Sequence, residues 1–208
     1  MRLLFAGGVA ALAALWLAMM VTGMGSLDHR VLAAIYAMDR PALRHAVIAV
    51  TRVGNWPLLV ALTLAGAAWL LYQGKTRSTL LLLAITLIGR LLVDLQKTGI
   101  GRLRPEDQVH LVPVNSLSFP SGHAANTMIV FLSLALLAVP SRFRHVAVPI
   151  ALAGAAVVGI TRPMLGVHWP SDVIGGWAFG AAWVLAMLGL AERLGQADSA
   201  GDHQGRGQ

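Results

Sequence analysis

Six apolar stretches separated by polar turns constrain this sequence more than any other feature. A helix needs about 20 consecutive apolar residues to cross the hydrocarbon core of a bilayer. The sequence therefore predicts an all-α fold, a bundle of six transmembrane helices. These spans cover roughly residues 3–23, 56–72, 79–96, 123–139, 146–161 and 171–190. Composition agrees, because 57% of the 208 residues are hydrophobic and only 12% are charged, about half the charged fraction of soluble domains.

The polar segments divide the chain into one membrane domain and a tail. The first apolar stretch is longer than the core of a signal peptide, about 7–15 residues, and is predicted to remain as a span. In residues 28–52, charged side chains alternate with apolar ones at near-helical spacing. This pattern predicts an amphipathic helix along the membrane interface, limited by Pro41. We predict a single membrane-embedded domain over residues 1–191 and a polar, disordered tail over residues 192–208.

The charges of the chain exclude several classes of function. The net charge is +7, yet the cations lie between apolar spans and form no basic arm, so a nucleic-acid partner is not predicted. Anionic headgroups and phosphate substrates explain the basic excess better. The sequence contains no cysteine, which excludes disulfides, thiolate nucleophiles and cysteine-bound metals.

Six spans place both termini on one side of the membrane. The basic turns at residues 75–77 and 142–144 fall on that same side, which the positive-inside tendency assigns to the cytoplasm. The polar connections 97–120 and 162–170 share the opposite side, whichever way the bundle points. We therefore predict an integral protein of a bacterial cytoplasmic membrane with its functional face on the periplasmic or extracellular side. Basic residues in 28–52 fall on that face too and weaken the charge bias.

The first functional cluster follows the third span, in the stretch KTGIGRLRP. Lys97 supplies a point charge and Arg104 a bidentate fork, and together they suit the separated oxygens of a phosphate. Gly99 and Gly101 leave the backbone free to bend around a ligand. Taken alone, these residues are explained equally well as basic side chains that meet lipid headgroups beside a span.

The second cluster opens the fourth span. Ser121 is a favoured N-cap residue, and a helix start offers an oxyanion free N–H groups and the positive end of the dipole. Gly122 permits close approach, and His123 supplies a group that titrates near neutral pH. Taken alone, an ordinary helix cap with an interfacial histidine explains the same residues.

The third cluster lies where the fifth span gives way to the sixth. Arg162 closes one span, and His168 stands four residues before Asp172, which lies in the first turn of the next. The carboxylate can hold one imidazole nitrogen protonated and leave the other free as a nucleophile. The alternative is an interfacial histidine beside a helix-start charge. Phosphate-ester chemistry is our working hypothesis for this cluster.

The three clusters together resemble the signature of one family. In order, they read K-x6-RP, PSGH and [ST]R-x5-H-x3-D, separated by apolar spans. This pattern is similar to that of the type 2 phosphatidic acid phosphatase superfamily in its six-span membrane form, which shares its phosphate pocket with the vanadium haloperoxidases. The resemblance covers about residues 28–190.

The resemblance implies a phosphatase that acts on a lipid phosphate without a metal or other cofactor. In the family pattern, His168 attacks phosphorus and becomes a phosphohistidine, Asp172 orients it, and His123 protonates the leaving oxygen. The residues expected to hold the phosphoryl oxygens are Lys97, Arg104, Ser121, Gly122 and Arg162. Substrates in scope include phosphatidic acid, phosphatidylglycerophosphate and undecaprenyl diphosphate, and neither the lipid nor the oligomeric state is specified by the sequence.

A few residues in and near these motifs depart from the family pattern or extend it. Thr161 stands where serine is frequent and keeps the hydroxyl, whereas Pro163 restricts the backbone at Arg162. Arg102 is an extra cation, which we interpret as a contact to the substrate headgroup.

Two other functions stay open at this point. One is a vanadate-dependent haloperoxidase-like enzyme, although that group is typically soluble and larger. The other is a non-catalytic phospholipid-binding or transport protein of the membrane. Binding alone does not require His168 and Asp172 opposite His123, and this favours the enzyme.

Overall fold

The computed structural model describes the backbone of residues 2–38 and 40–205 and the side chains of residues 6–38 and 40–194. Within these ranges the chain forms eight α-helices and two 3-10 turns, with no β-strand, so the predicted all-α class is confirmed. The helices are α1 (Arg2–Thr22), α2 (Ser26–Ile35), α3 (Pro41–Thr51), α4 (Trp56–Tyr72), α5 (Thr76–Ile100), α6 (Gly122–Leu137), α7 (Arg144–Met164) and α8 (Pro170–Gly205). Asp39, a charged residue of the predicted interfacial helix, lies outside the described residues. The predicted tail overlaps the end of α8, and its disorder stays a prediction.

Three helical segments are long and apolar enough to cross a membrane by themselves. They are Thr76–Ile100, Ser141–Met164 and Pro170–Leu194. The number rises to five if two bent pairs each count as one span: α1 with α2, bent by 93°, and α3 with α4, bent by 46°. Helix α6 is apolar but has only 16 residues. Length and composition of the described helices therefore support a membrane bundle without fixing six spans.

Helix α6 forms the centre of the bundle, which is why so short a helix is accommodated. It is buried on nearly every face and packs against α5, α7 and α8. The approach to α8 is close because Gly176 and Gly180 have no Cβ. A Cβ would lie 2.9 Å from the Ser121 carbonyl oxygen at the first position and 2.8 Å from the Ala125 carbonyl oxygen at the second. The start of α6 is thereby held beside the start of α8.

The charged segment after α1 forms two helices where the sequence predicts one. Helix α2 ends at Ile35, and α3 begins at Pro41. Proline is tolerated in the first turn of a helix, where no intrahelical partner awaits its missing N–H, but it cannot continue a helix from before. Helix α2 turns away from α1 at 93° and corresponds to the predicted interfacial helix. The apolar pattern alone does not separate α3 from it.

Two helices extend further than hydropathy predicts. Helix α5 continues to Ile100 and carries Lys97 in its last turn. Helix α7 continues to Met164, so Arg162 also lies in a last turn, and Pro163 is accommodated beside it. The predicted ends at residues 96 and 161 are too early, because a charged side chain interrupts an apolar pattern without interrupting backbone hydrogen bonding. Both cations consequently stand on helices instead of in loops.

Candidate active site

The three predicted clusters meet at one end of the bundle. Lys97 reaches across from α5, and its Cε lies 3.7 Å from the position a Cβ would take at Gly122. The backbone N–H of Ser121 donates to the Asp172 carbonyl at 3.0 Å, which joins the second cluster to the third. The predicted residues occupy the last turn of α5 (Lys97), the following loop (Arg104), the start of α6 (Ser121, Gly122, His123), the last turn of α7 (Arg162), the next loop (His168) and the first turn of α8 (Asp172).

His168 is held between a carboxylate and a guanidinium. Its Nδ1 lies 3.3 Å from Asp172 Oδ2 and 3.2 Å from Ser118 Oγ. On the other side of the ring, Nε2 lies 3.1 Å from Arg104 Nη1. A carboxylate only accepts, so Nδ1 carries the proton and Nε2 keeps its lone pair. This is the nitrogen that the predicted nucleophile needs.

The surroundings of His168 keep its imidazole neutral. The side chain is almost fully buried. Burial lowers the pKa of His168 well below its usual value of 6.5, and the positive charges of Arg104, Lys97 and Arg162 lower it further. A neutral imidazole can attack phosphorus, whereas an imidazolium cannot.

Asp172 is fully buried and receives hydrogen bonds from several donors. Its Oδ1 accepts from Arg102 Nη1 at 2.8 Å. Its Oδ2 accepts from the Ser118 hydroxyl and from the Trp169 backbone N–H, the latter at 2.9 Å. Ion pairing and multiple hydrogen bonds are what make a buried carboxylate tolerable.

Arg102 therefore lies behind the site and not at its mouth. Its residue is only 5% exposed, and Nη2 donates to the backbone carbonyls of Met19, at 2.9 Å, and Met20, at 2.5 Å. Its guanidinium carbon lies 4.3 Å from the centre of the Phe119 ring. The interpretation of Arg102 as a headgroup contact is wrong, since its donors are directed to Asp172 and to the end of α1.

Two polar atoms of the predicted phosphate-binding residues are buried without a partner among the described residues: Ser121 Oγ and Arg162 Nε. Arg162 is fixed at its other end, where Nη1 donates to Thr51 Oγ1 at 2.8 Å. A buried polar group without a hydrogen bond costs about 1–3 kcal/mol. Both atoms can donate a hydrogen bond to an oxyanion, as can the free N–H groups at the start of α6.

His123 lies at the edge of this pocket, in the first turn of α6. Its Nε2 lies 3.1 Å from Asn55 Oδ1, and Asn55 immediately precedes α4. His123 is half-buried.

Three contacting residues were absent from the sequence-based site, namely Thr51, Asn55 and Ser118, and a fourth, Arg102, was given the wrong role. Ser118 lies three residues before Ser121, and its proximity to the motif is the one sequence signal that could have suggested it. Thr51 and Arg102 are separated from their partners by 111 and 70 residues, so no local pattern indicates them.

The described side chains contain no group of three or more His, Asp or Glu residues arranged to hold a metal ion. That the protein needs no metal stays a prediction.

The comparisons with known proteins agree with one another. The family model of the PAP2 superfamily matches residues 78–195. Phosphatidylglycerophosphatase B of Bacillus subtilis is 33% identical over 174 residues, which is 81% of this chain and 85% of that protein. A lipid A 1-phosphatase of Rhizobium johnstonii is 40% identical over 120 residues, which is 50% of this chain and 46% of that protein. The chain thus matches about half the length of the latter.

Two solved structures resemble the fold. The crystal structure of a transmembrane PAP2-type phosphatidylglycerolphosphate phosphatase from Bacillus subtilis superposes with a TM-score of 0.81 at 29% identity, covering 89% of this chain and 96% of that one. The structure of Aquifex aeolicus LpxE gives a TM-score of 0.63 at 20% identity, covering 80% and 97%, and supports the fold alone.

Proposed function

Since this chain belongs to the PAP2 superfamily and is an integral membrane phosphoric ester hydrolase, we propose that it removes phosphate from lipid mono- or diphosphates through a phosphohistidine on His168. The substrates proposed are of the phosphatidic acid, phosphatidylglycerophosphate and undecaprenyl diphosphate class. The observation that carries this proposal is the buried position of His168, with Nδ1 against Asp172 and Nε2 beside Arg104.

The reaction follows from these positions in two steps. In the first, the lone pair of His168 Nε2 forms a bond to phosphorus while the bond to the leaving oxygen breaks, and His123, which starts the step as the imidazolium, gives that oxygen a proton and becomes neutral. In the second, water attacks phosphorus, the phosphorus–nitrogen bond breaks, and His123 takes a proton from the water. The products are the dephosphorylated lipid and inorganic phosphate, and both histidines return to their starting state.

The charge that develops on the phosphoryl oxygens is met by fixed groups. Phosphoryl transfer depends mainly on positioning and on stabilising the equatorial oxygens. Lys97, Arg104 and Arg162 supply three positive charges around the pocket. The Ser121 hydroxyl and the Gly122 N–H supply hydrogen bonds at the positive end of α6. These groups perform the role that magnesium has in many other phosphoryl-transfer enzymes.

The proposal extends to the position of the site in the membrane. We assign the six spans to α1, α4, α5, α6, α7 and α8, with α2 along the interface. The site then lies at one membrane surface, where α1, α5 and α7 end and α4, α6 and α8 begin. Basic turns at the other end of the bundle, at residues 75–77 and 142–144, favour a periplasmic or extracellular site by the positive-inside tendency. A lipid phosphate would keep its chains in the bilayer while its headgroup meets this pocket.

Phosphate release from purified protein in detergent tests the proposal. The wild type in excess EDTA is expected to release phosphate from at least one member of a panel of lipid mono- and diphosphates. His168→Ala is expected to release none, while the control His145→Ala, at the opposite end of the bundle, keeps wild-type activity. Full activity of His168→Ala, or loss of wild-type activity in EDTA with recovery on adding a metal, would contradict the proposal.

The pH dependence of kcat/KM gives a separate prediction. Because burial and the neighbouring cations lower the pKa of His168, the imidazole stays unprotonated as the pH falls through 6.5 and is lost as nucleophile only below that. The acidic limb of kcat/KM that belongs to the free enzyme is therefore expected below pH 6.5. Profiles for two substrates that differ in phosphate pKa separate the enzyme's limb from the substrate's. An acidic limb that both substrates share at or above pH 6.5 would contradict a lowered pKa of His168.

A further inference from the structure

We propose that the turn Thr51–Asn55, between α3 and α4, is a fourth part of the active site that orients both His123 and Arg162. The inference rests on the proposed function of these two residues. The turn lies outside residues 78–195, to which the family model is matched, and outside all three sequence motifs. Its residues are positioning residues, since they act through His123 and Arg162.

The side chain of Asn55 does not form the helix-capping hydrogen bond that its position predicts. It is the N-cap residue of α4, where asparagine is strongly favoured because its side chain can accept from the first free N–H groups of the helix. Here the side chain makes no cap hydrogen bond. Its Oδ1 instead lies 3.1 Å from His123 Nε2. The local stabilisation of a cap is thus forgone for a contact to α6.

This contact sets the protonation of the His123 ring. An amide oxygen only accepts, so Nε2 keeps its proton in both charge states of the ring, and the imidazolium gives the proton of Nδ1 to the leaving oxygen. Asparagine orients the histidine of Cys-His-Asn enzymes by the same logic. The bond also fixes the plane of the ring, which general acid catalysis requires.

Gly54 brings the turn close enough for this contact. A Cβ at this position would lie 2.6 Å from His123 Cδ2 and 2.7 Å from Val158 Cγ1. The imidazole therefore packs directly on the backbone of the turn, and no larger residue fits without moving it.

Thr51 performs the corresponding task for the phosphate-binding arginine. Its hydroxyl accepts from Arg162 Nη1 at 2.8 Å, and both residues are at least 95% buried. Arg162 Nε is left without a partner among the described residues. One end of the fork is thus anchored and the other is kept for the phosphoryl group, so the acid and the cation are oriented by a single turn.

The leaving group of the substrate distinguishes orientation of an acid from general damage. Asn55→Ala is expected to lower kcat for an alkyl lipid phosphate by about 100-fold, within the range that general acid catalysis contributes. With p-nitrophenyl phosphate, whose leaving group needs little protonation, the loss is expected to stay within about 3-fold. His123→Ala is expected to give the same contrast, and the double variant is expected to be no slower than His123→Ala. Thr63→Ala, which loses only a bond to the Leu59 carbonyl in the same helix, is the matched control.

Nitrogen-15 NMR of histidine-labelled protein tests the contact without turnover. At a pH where the ring is neutral, the His123 signals, identified by their loss in His123→Ala, are expected to report a proton on Nε2 in the wild type and a changed tautomer balance in Asn55→Ala. Equal slowing on both substrates, or additive losses in the double variant, would overturn the inference. An unchanged tautomer would overturn it too. If the wild type releases no phosphate from any lipid, the proposed function fails, and the NMR result still decides the role of Asn55.

Discussion

Asp172→Asn is expected to lower kcat by about 1,000- to 10,000-fold while KM for a lipid phosphate changes by no more than about 3-fold. The carboxylate faces the N–H groups of His168, Trp169 and Arg102. An amide nitrogen put in place of either oxygen therefore meets a donor. If it faces His168 Nδ1, it drives the proton to Nε2 and blocks the nucleophile. The pocket that holds the phosphate is left in place, so binding is largely preserved.

Ser118→Ala is the matched control for this change. It removes a neighbouring donor to the same carboxylate oxygen but keeps the negative charge and the proton on His168 Nδ1. Its loss of kcat is expected to stay within about 10-fold, as for a single neutral hydrogen bond. If Asp172→Asn raised KM and left kcat unchanged, the residue would bind substrate and would not orient the nucleophile.

Arg102→Met is expected to destabilise the protein by about 3–5 kcal/mol, because it leaves the carboxylate of Asp172 buried without its cation. The ion pair measures 2.8 Å, and its side chains are 3% and 0% exposed. Arg102 also holds the end of α1 through the carbonyls of Met19 and Met20. In detergent, the midpoint of thermal unfolding of Arg102→Met is expected to lie roughly 6–20 °C below that of the wild type.

The exposed contact between His29 and Asp107, which lies outside the membrane-spanning helices, provides the comparison. Its side chains are 47% and 42% exposed. Water screens a contact this exposed, and Asp107→Asn is expected to change stability by no more than about 1 kcal/mol. Equal midpoints for the two variants would show that Arg102 does not compensate the buried charge.

The fold was predictable from sequence where residues typical of the membrane interface bound a helix. The span 56–72 was predicted with the bounds that α4 has, since Trp56 and Tyr72, aromatic residues that favour the headgroup level, mark its two ends. The ends of α5 and α7 were missed because Lys97 and Arg162 stop an apolar run but continue the backbone hydrogen bonding. The same property puts both cations on rigid helices beside the start of α6.

The candidate site divides along similar lines. His168 and Asp172 are four residues apart, and their pairing follows from local spacing. Thr51 was missed and Arg102 was given a wrong role, because what they do depends on Arg162 and Asp172 far along the chain. Their burial depends on how the helices pack, which the sequence pattern does not show. From the sequence alone, a polar residue near a motif is expected to face the substrate.

Trapping the phosphorylated enzyme tests the central claim most directly. Protein turning over a lipid phosphate with a radiolabelled phosphoryl group is quenched in alkaline detergent, in the presence of EDTA, and separated from lipid. The account predicts a label on the wild type that is stable to base and labile to acid, as expected for phosphohistidine. The same label is expected to be absent from His168→Ala. A label of equal amount on His168→Ala would contradict the attack by His168. So would a wild type that carries no label when it is sampled at times shorter than one turnover.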